Sequence, residues 1–118
     1  MSQAFLSGTH DGRRTQLMAG WDGIEGDVYA KVAYLDERGD WIEEPGLLLD
    51  TVIRLDARPD LGDAWMYVDE LVNRIAVRVG IAVPDAMRTE ICRAMLENDN
   101  RSRVWFNADG TLGEAHEA

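Results

Sequence analysis

In the segment Asp27–Leu35, Val28, Ala30, Val32 and Tyr34 fall on one side of an extended chain, with Tyr29, Lys31, Ala33 and Leu35 on the other. A period of two predicts a half-buried strand. Arg13 to Gly20 has the same character, with Leu17 and Ala19 opposite Met18, and so does Leu47 to Leu55, which sets Leu47, Leu49, Ile53 and Leu55 together. Between them, Asp22-Gly23 and Gly39 supply the left-handed positions that tight turns require. Trp41 to Glu44 reads as a short strand ended by Pro45-Gly46.

Past Asp60 the period lengthens. Ala64, Trp65, Val68, Leu71, Val72, Ile75, Ala76 and Val79 recur at helical spacing, with Asp63 as the expected N-cap and Gly80 as the stop. Pro84-Asp85 opens a second helix whose apolar side is Met87, Ile91, Ala94 and Met95, and Asn98-Asp99-Asn100 ends it. The expected fold is α+β: a three- to four-stranded antiparallel β-meander packed against two α-helices. A short C-terminal strand, Val104–Phe106, is available to a sheet edge. Residues 1–12 and 111–118 lack strong periodicity and are expected to be flexible ends of a single domain spanning 1–118.

Composition narrows the function classes. The chain has 118 residues and a formal charge of −10, from 22 acidic and 12 basic side chains. Such a balance repels phosphate and favours basic partners, so nucleic acid is disfavoured as a partner. Acids concentrate between Asp36 and Asp63, whereas Arg88, Arg93, Arg101 and Arg103 make the C-terminal third locally basic. No apolar run reaches the ~20 residues of a membrane span. The N-terminus has neither the basic nor the long apolar stretch of a secretory signal, and one cysteine cannot form an internal disulfide. Together these predict a cytoplasmic protein without a membrane partner.

No catalytic, cofactor or metal constellation emerges. His10-Asp11 lacks a nucleophile, His116 stands alone in the tail, and Cys92 belongs to no Cys-x-x-Cys pair and reads as a packed thiol. The acids at Asp22, Glu25, Asp27 and at Asp56, Asp60, Asp63 do not follow a calcium-loop spacing. Glycine-rich phosphate loops and hydrolase elbows are absent from the sequence.

Gly20-Trp21-Asp22, Gly80-Ile81-Ala82-Val83-Pro84-Asp85-Ala86-Met87 and Asn100-Arg101 before the last strand resemble a group of small bacterial proteins of plasmids, prophages and gene cassettes. Gly23-Ile24 departs from the Arg-Pro that often follows the aspartate in that group. The resemblance implies a mobile-element origin and carries no activity. The expected function is therefore a non-catalytic acidic interaction protein that binds a protein partner or self-associates. Its expected surface is Trp21, Trp41, Glu43, Glu44, Asp56 and Asp60, because tryptophan is enriched where proteins bind proteins and the acids suit a basic partner. The alternative is a small-molecule binder or enzyme with a pocket between sheet and helices, lined by Tyr29, Tyr34, Trp41 and Arg54.

Overall fold

The N-terminal segment is a full strand, β1 (Gln3–His10), and not a flexible arm. Its Ala4 and Leu6 are buried on one face and Phe5 on the other. The computed structural model describes residues 1–113; the tail from 114 onward, with His116, lies outside the described residues. β1 pairs antiparallel with β2 (Arg13–Asp22), which pairs with β3 (Asp27–Leu35). On its other side β1 runs parallel to β6 (Arg103–Phe106). The far edge of β3 is shared: β5 (Leu49–Arg54) pairs with Asp27–Val32, and the two-residue β4 (Trp41–Ile42) with Tyr34 and Leu35.

The architecture is α+β, with two helices and a mixed six-stranded sheet rather than a simple meander. β4 is too short to carry the next strand, so β5 returns to β3 itself, and the Leu48 amide donates to the Val32 carbonyl just before β5 begins. Both outer edges are blunted. The Arg74 guanidinium reaches from a helix to the Thr51 hydroxyl and the Val52 carbonyl of β5, and a Phe106–Leu112 bridge covers part of β6.

Both helices lie against one face of the sheet. α1 (Leu61–Val79) begins earlier than its pattern suggests. Asp60, not Asp63, is the N-cap, and its carboxylate accepts from the Asp63 amide at 2.8 Å. Gly80, left-handed at φ 68°, closes α1. α2 (Asp85–Glu97) ends on Asn98, also left-handed. The space between helices and sheet is filled by Leu6, Leu17, Val32, Leu71, Ile75, Met87, Ile91 and Met95, all fully buried. Neither helix is long and apolar enough to cross a membrane.

The turn at Trp21–Gly23 and the Asn98–Asn100 exit of α2 meet at one joint. The Trp21 indole donates to the Asn98 side chain at 2.9 Å, and the Gly23 amide to that of Asn100 at 2.7 Å. Ser2 clasps Trp21, its amide donating to the Trp21 carbonyl and its hydroxyl accepting from the Trp21 amide, and the Tyr29 hydroxyl donates to the Ser2 carbonyl at 2.6 Å. These residues hold the first two hairpins against the exit of α2. Their role here is architectural.

Candidate functional site

Because the helices occupy one face only, the period-two pattern leaves the opposite face without a covering layer. Cross-strand register sets Trp105, Phe5, Met18 and Lys31 in one row across β6, β1, β2 and β3. Ser7, Gln16 and Ala33 form the next row, with Arg103 and Gln3 on the other side. The Phe5 and Trp105 rings stack with centroids 4.9 Å apart, and the Arg103 guanidinium lies over both, 5.6 and 5.2 Å from their centres. At the far side the Trp41 indole reaches back to Gln16, donating to its side-chain oxygen at 2.6 Å. These side chains wall a concavity of about 900 Å³, a size typical of small-molecule sites.

The charge of this concavity opposes that of the chain. Its walls carry Arg14, Lys31, Arg38 and Arg103 against a single carboxylate, Glu43. Among the described residues, none of these four cations joins an ion pair. Arg14 donates to the Asp36 carbonyl at 3.0 Å, which holds it beside the turn that bears Arg38. Three of the four arginines on the helices are engaged. Arg88 meets Asp69, Arg74 meets Glu70, and Arg93 gathers Glu90, Glu97 and Asp99. With almost two acids available per base, a concavity lined by four cations and one carboxylate is a feature of this face, although Asp50 lies across from Lys31 on β5.

A charged knot positions β6 and its two site residues. Asp99 accepts from the Arg101 and Ser102 amides at 2.9 and 3.1 Å and from Arg93 at 2.8 Å. The two amides and the guanidinium hold its carboxyl far below the usual carboxylate range, while the Glu90 and Asp99 carboxylates raise the Arg93 pKa. A depressed carboxyl contributes stability above its unfolded pKa and loses it as pH falls through the folded value. Asp99→Asn should cost ~1–2 kcal/mol at neutral pH. In urea titrations at stepped pH, the gap from wild type should narrow below about pH 4. A gap constant down to strong acid would remove the ionic contribution.

The residues expected at a site scatter. Trp21 is 4% exposed and belongs to the core. Asp60 is spent as a helix cap, and Asp56 lies in the connector before α1. Glu44 is exposed beyond β4; only Trp41 and Glu43 line one concavity together. Tyr29, Tyr34 and Arg54 do not form a pocket between sheet and helices. Arg54 pairs with Glu25 and Asp27, while Tyr34 lies seven residues beyond Asp27 on the same strand, ~23 Å away. Tyr34 carries the Arg13 guanidinium over its ring at 3.8 Å. The Tyr29 hydroxyl is buried, and burial followed by the nearby Asp22 and Asp27 raises its pKa. Burial also raises the pKa of the Cys92 thiol.

The pattern of the sequence did not single out Phe5, Met18, Lys31 or Trp105 as neighbours. Lys31, the one charged residue in the apolar run from Val28 to Leu35, was the available signal. Among the described residues, no three His, Cys, Asp or Glu side chains converge as metal ligands do. Comparison with protein-family models, with curated proteins and with solved structures finds no match for this chain.

Proposed function

We propose that this protein is a non-catalytic binding module that takes a small aromatic anion on the helix-free face of its sheet. The observation that carries the reading is the set of four cations, free of ion pairs among the described residues, around the Phe5–Trp105 stack and Trp41. Aromatic faces supply area at low entropic cost, and guanidinium and ammonium groups supply the counter-charge. Apart from the Glu43 carboxylate, the polar remainder is amide and hydroxyl, from Gln3, Gln16, Ser7 and Thr15, which suits orientation of a ligand. This site replaces the acidic surface as the favoured one, because Trp21 and Asp60 serve the fold.

Backbone-amide NMR during titration with naphthalene sulfonate tests the reading. Shifts should concentrate on Phe5, Ser7, Gln16, Met18, Lys31 and Trp105, and Trp105→Ala should abolish them without altering the rest of the spectrum. Shifts confined to the helices, or none at all, would contradict it.

A further inference from the structure

The four cations that line the concavity do not stand in equivalent places. Arg103 opens β6, and its guanidinium lies 5.2 Å from the centre of the Trp105 indole and 5.6 Å from that of the Phe5 ring. Its register partner is Gln3 of β1, a neutral amide that donates to the Met18 sulfur at 3.3 Å. Lys31 shares the row of Trp105 but lies three strands off, ~14 Å at ~4.8 Å per strand, and Asp50 faces it from β5. Arg14 lies along β2 from Met18, ~13 Å at ~3.3 Å per residue, and is tied to the Asp36 carbonyl. Arg38 belongs to a turn that also carries Asp36, Glu37 and Asp40. Arg103 is therefore the lining cation that stands at the Phe5–Trp105 pair, and no carboxylate lies within ion-pair distance of it among the described residues.

We infer that Arg103 is the residue that reads the ligand's charge, and that the ligand is an aryl sulfonate or aryl carboxylate whose anionic group is borne directly on the ring held at Phe5 and Trp105. The inference rests on the binding reading above and adds the residue that sets specificity and the position of the charge. A ring packed against the aromatic pair brings a substituent on its own edge within reach of the guanidinium, whose planar fork matches the paired oxygens of either group. The same charge on a long flexible tether would leave Arg103 and pass over Met18, Ser7 and Gln16, which carry no charge. Beyond that floor carboxylates accompany the cations, Asp50 across from Lys31 and Glu43 in the wall, and they offset the attraction for an anion. The place where an aromatic surface and an unopposed cation coincide is the β6 side.

Calorimetric titration of the full chain with naphthalene sulfonate, the neutral naphthalene sulfonamide, and a naphthalene bearing its sulfonate on a butyl tether tests this. The ring-borne sulfonate should bind about tenfold or more tightly than the sulfonamide, the factor that one charge-assisted contact supplies, and the tethered sulfonate should lose most of that advantage. Arg103→Gln should bring sulfonate and sulfonamide to equal affinity, and Arg103→Lys should restore part of the preference. The ratio of the two ligands is the readout, so any change in how the Phe5 and Trp105 rings pack, which affects both, cancels. Arg101→Gln, which removes a charge from the same stretch outside the concavity, should leave the ratio intact. A preference that survives Arg103→Gln, or one lost on Lys31→Gln instead, would overturn the inference, and so would a tethered sulfonate as tight as the ring-borne one. If sulfonate and sulfonamide bind the wild-type chain equally, the binding face stands and the charge reading fails. If neither binds, the face itself fails and this inference with it.

Discussion

Gly20→Ala should be among the most damaging single-methyl additions in this protein. A β-carbon at Gly20 would sit 2.2 Å from the Ser2 carbonyl oxygen and 2.9 Å from its carbon, both backbone atoms. Ser2 cannot yield cheaply. Its amide donates to the Trp21 carbonyl at 2.8 Å, its hydroxyl accepts from the Trp21 amide at 2.9 Å, and its carbonyl accepts from Tyr29 at 2.6 Å. Overpacking costs ~1–3 kcal/mol and each buried partner left unmet adds ~1–3 kcal/mol, so a loss of roughly 3–5 kcal/mol is expected in equilibrium unfolding. The same event should expose the Trp21 indole and shift its fluorescence to the red. A variant as stable as wild type would show that the start of β1 is not clamped.

Leu71→Ala should cost ~2–5 kcal/mol, the range for a large aliphatic side chain removed from a site that cannot collapse. Leu71 has no exposed surface and lies at the middle of the buried stripe of α1, in the cluster that joins both helices to β2 and β3. Val68, Ile75, Met87 and Met95 of the same core cluster are themselves fully buried, so little can move into the void. Val77, four-fifths exposed on the same helix, is the control: Val77→Ala should be nearly neutral. Chemical denaturation of the pair separates burial from helix propensity. Equal costs at both positions would place the apolar stripe of α1 in water.

The helices were legible because their information is local. A 3.6-residue stripe, an acidic start and a left-handed stop lie within one segment, and α1 and α2 follow them to within a few residues. β3 was legible for the same reason. β1 was not. Ser7, Gly8, Thr9 and His10 break its alternation, and its strand character comes from partners on both sides, one of them β6, where Gln3 sits beside Arg103 a hundred positions away. Losing β1 hid the site with it, because Phe5 and Trp105 become neighbours only through that parallel pairing. The acidic surface was read from a count of charges along the chain. A count cannot show that the cations are sorted in space, those on the helices mostly matched with carboxylates and those on the free face not. Trp21 illustrates the same limit, since its burial depends on Ser2 and Asn98 from opposite ends of the chain.

Collisional quenching of tryptophan fluorescence tests the sorted charge of the free face most directly. Trp21 is buried, so in a Trp65→Phe variant the accessible indoles are Trp41 and Trp105, both half-buried in the cationic concavity. Relative to free tryptophanamide at the same ionic strength, iodide should quench them more efficiently than caesium, although the whole chain carries a charge of −10. Preferential quenching by caesium would mean that the net acidity of the protein extends over this face, and the proposed anion site would not exist.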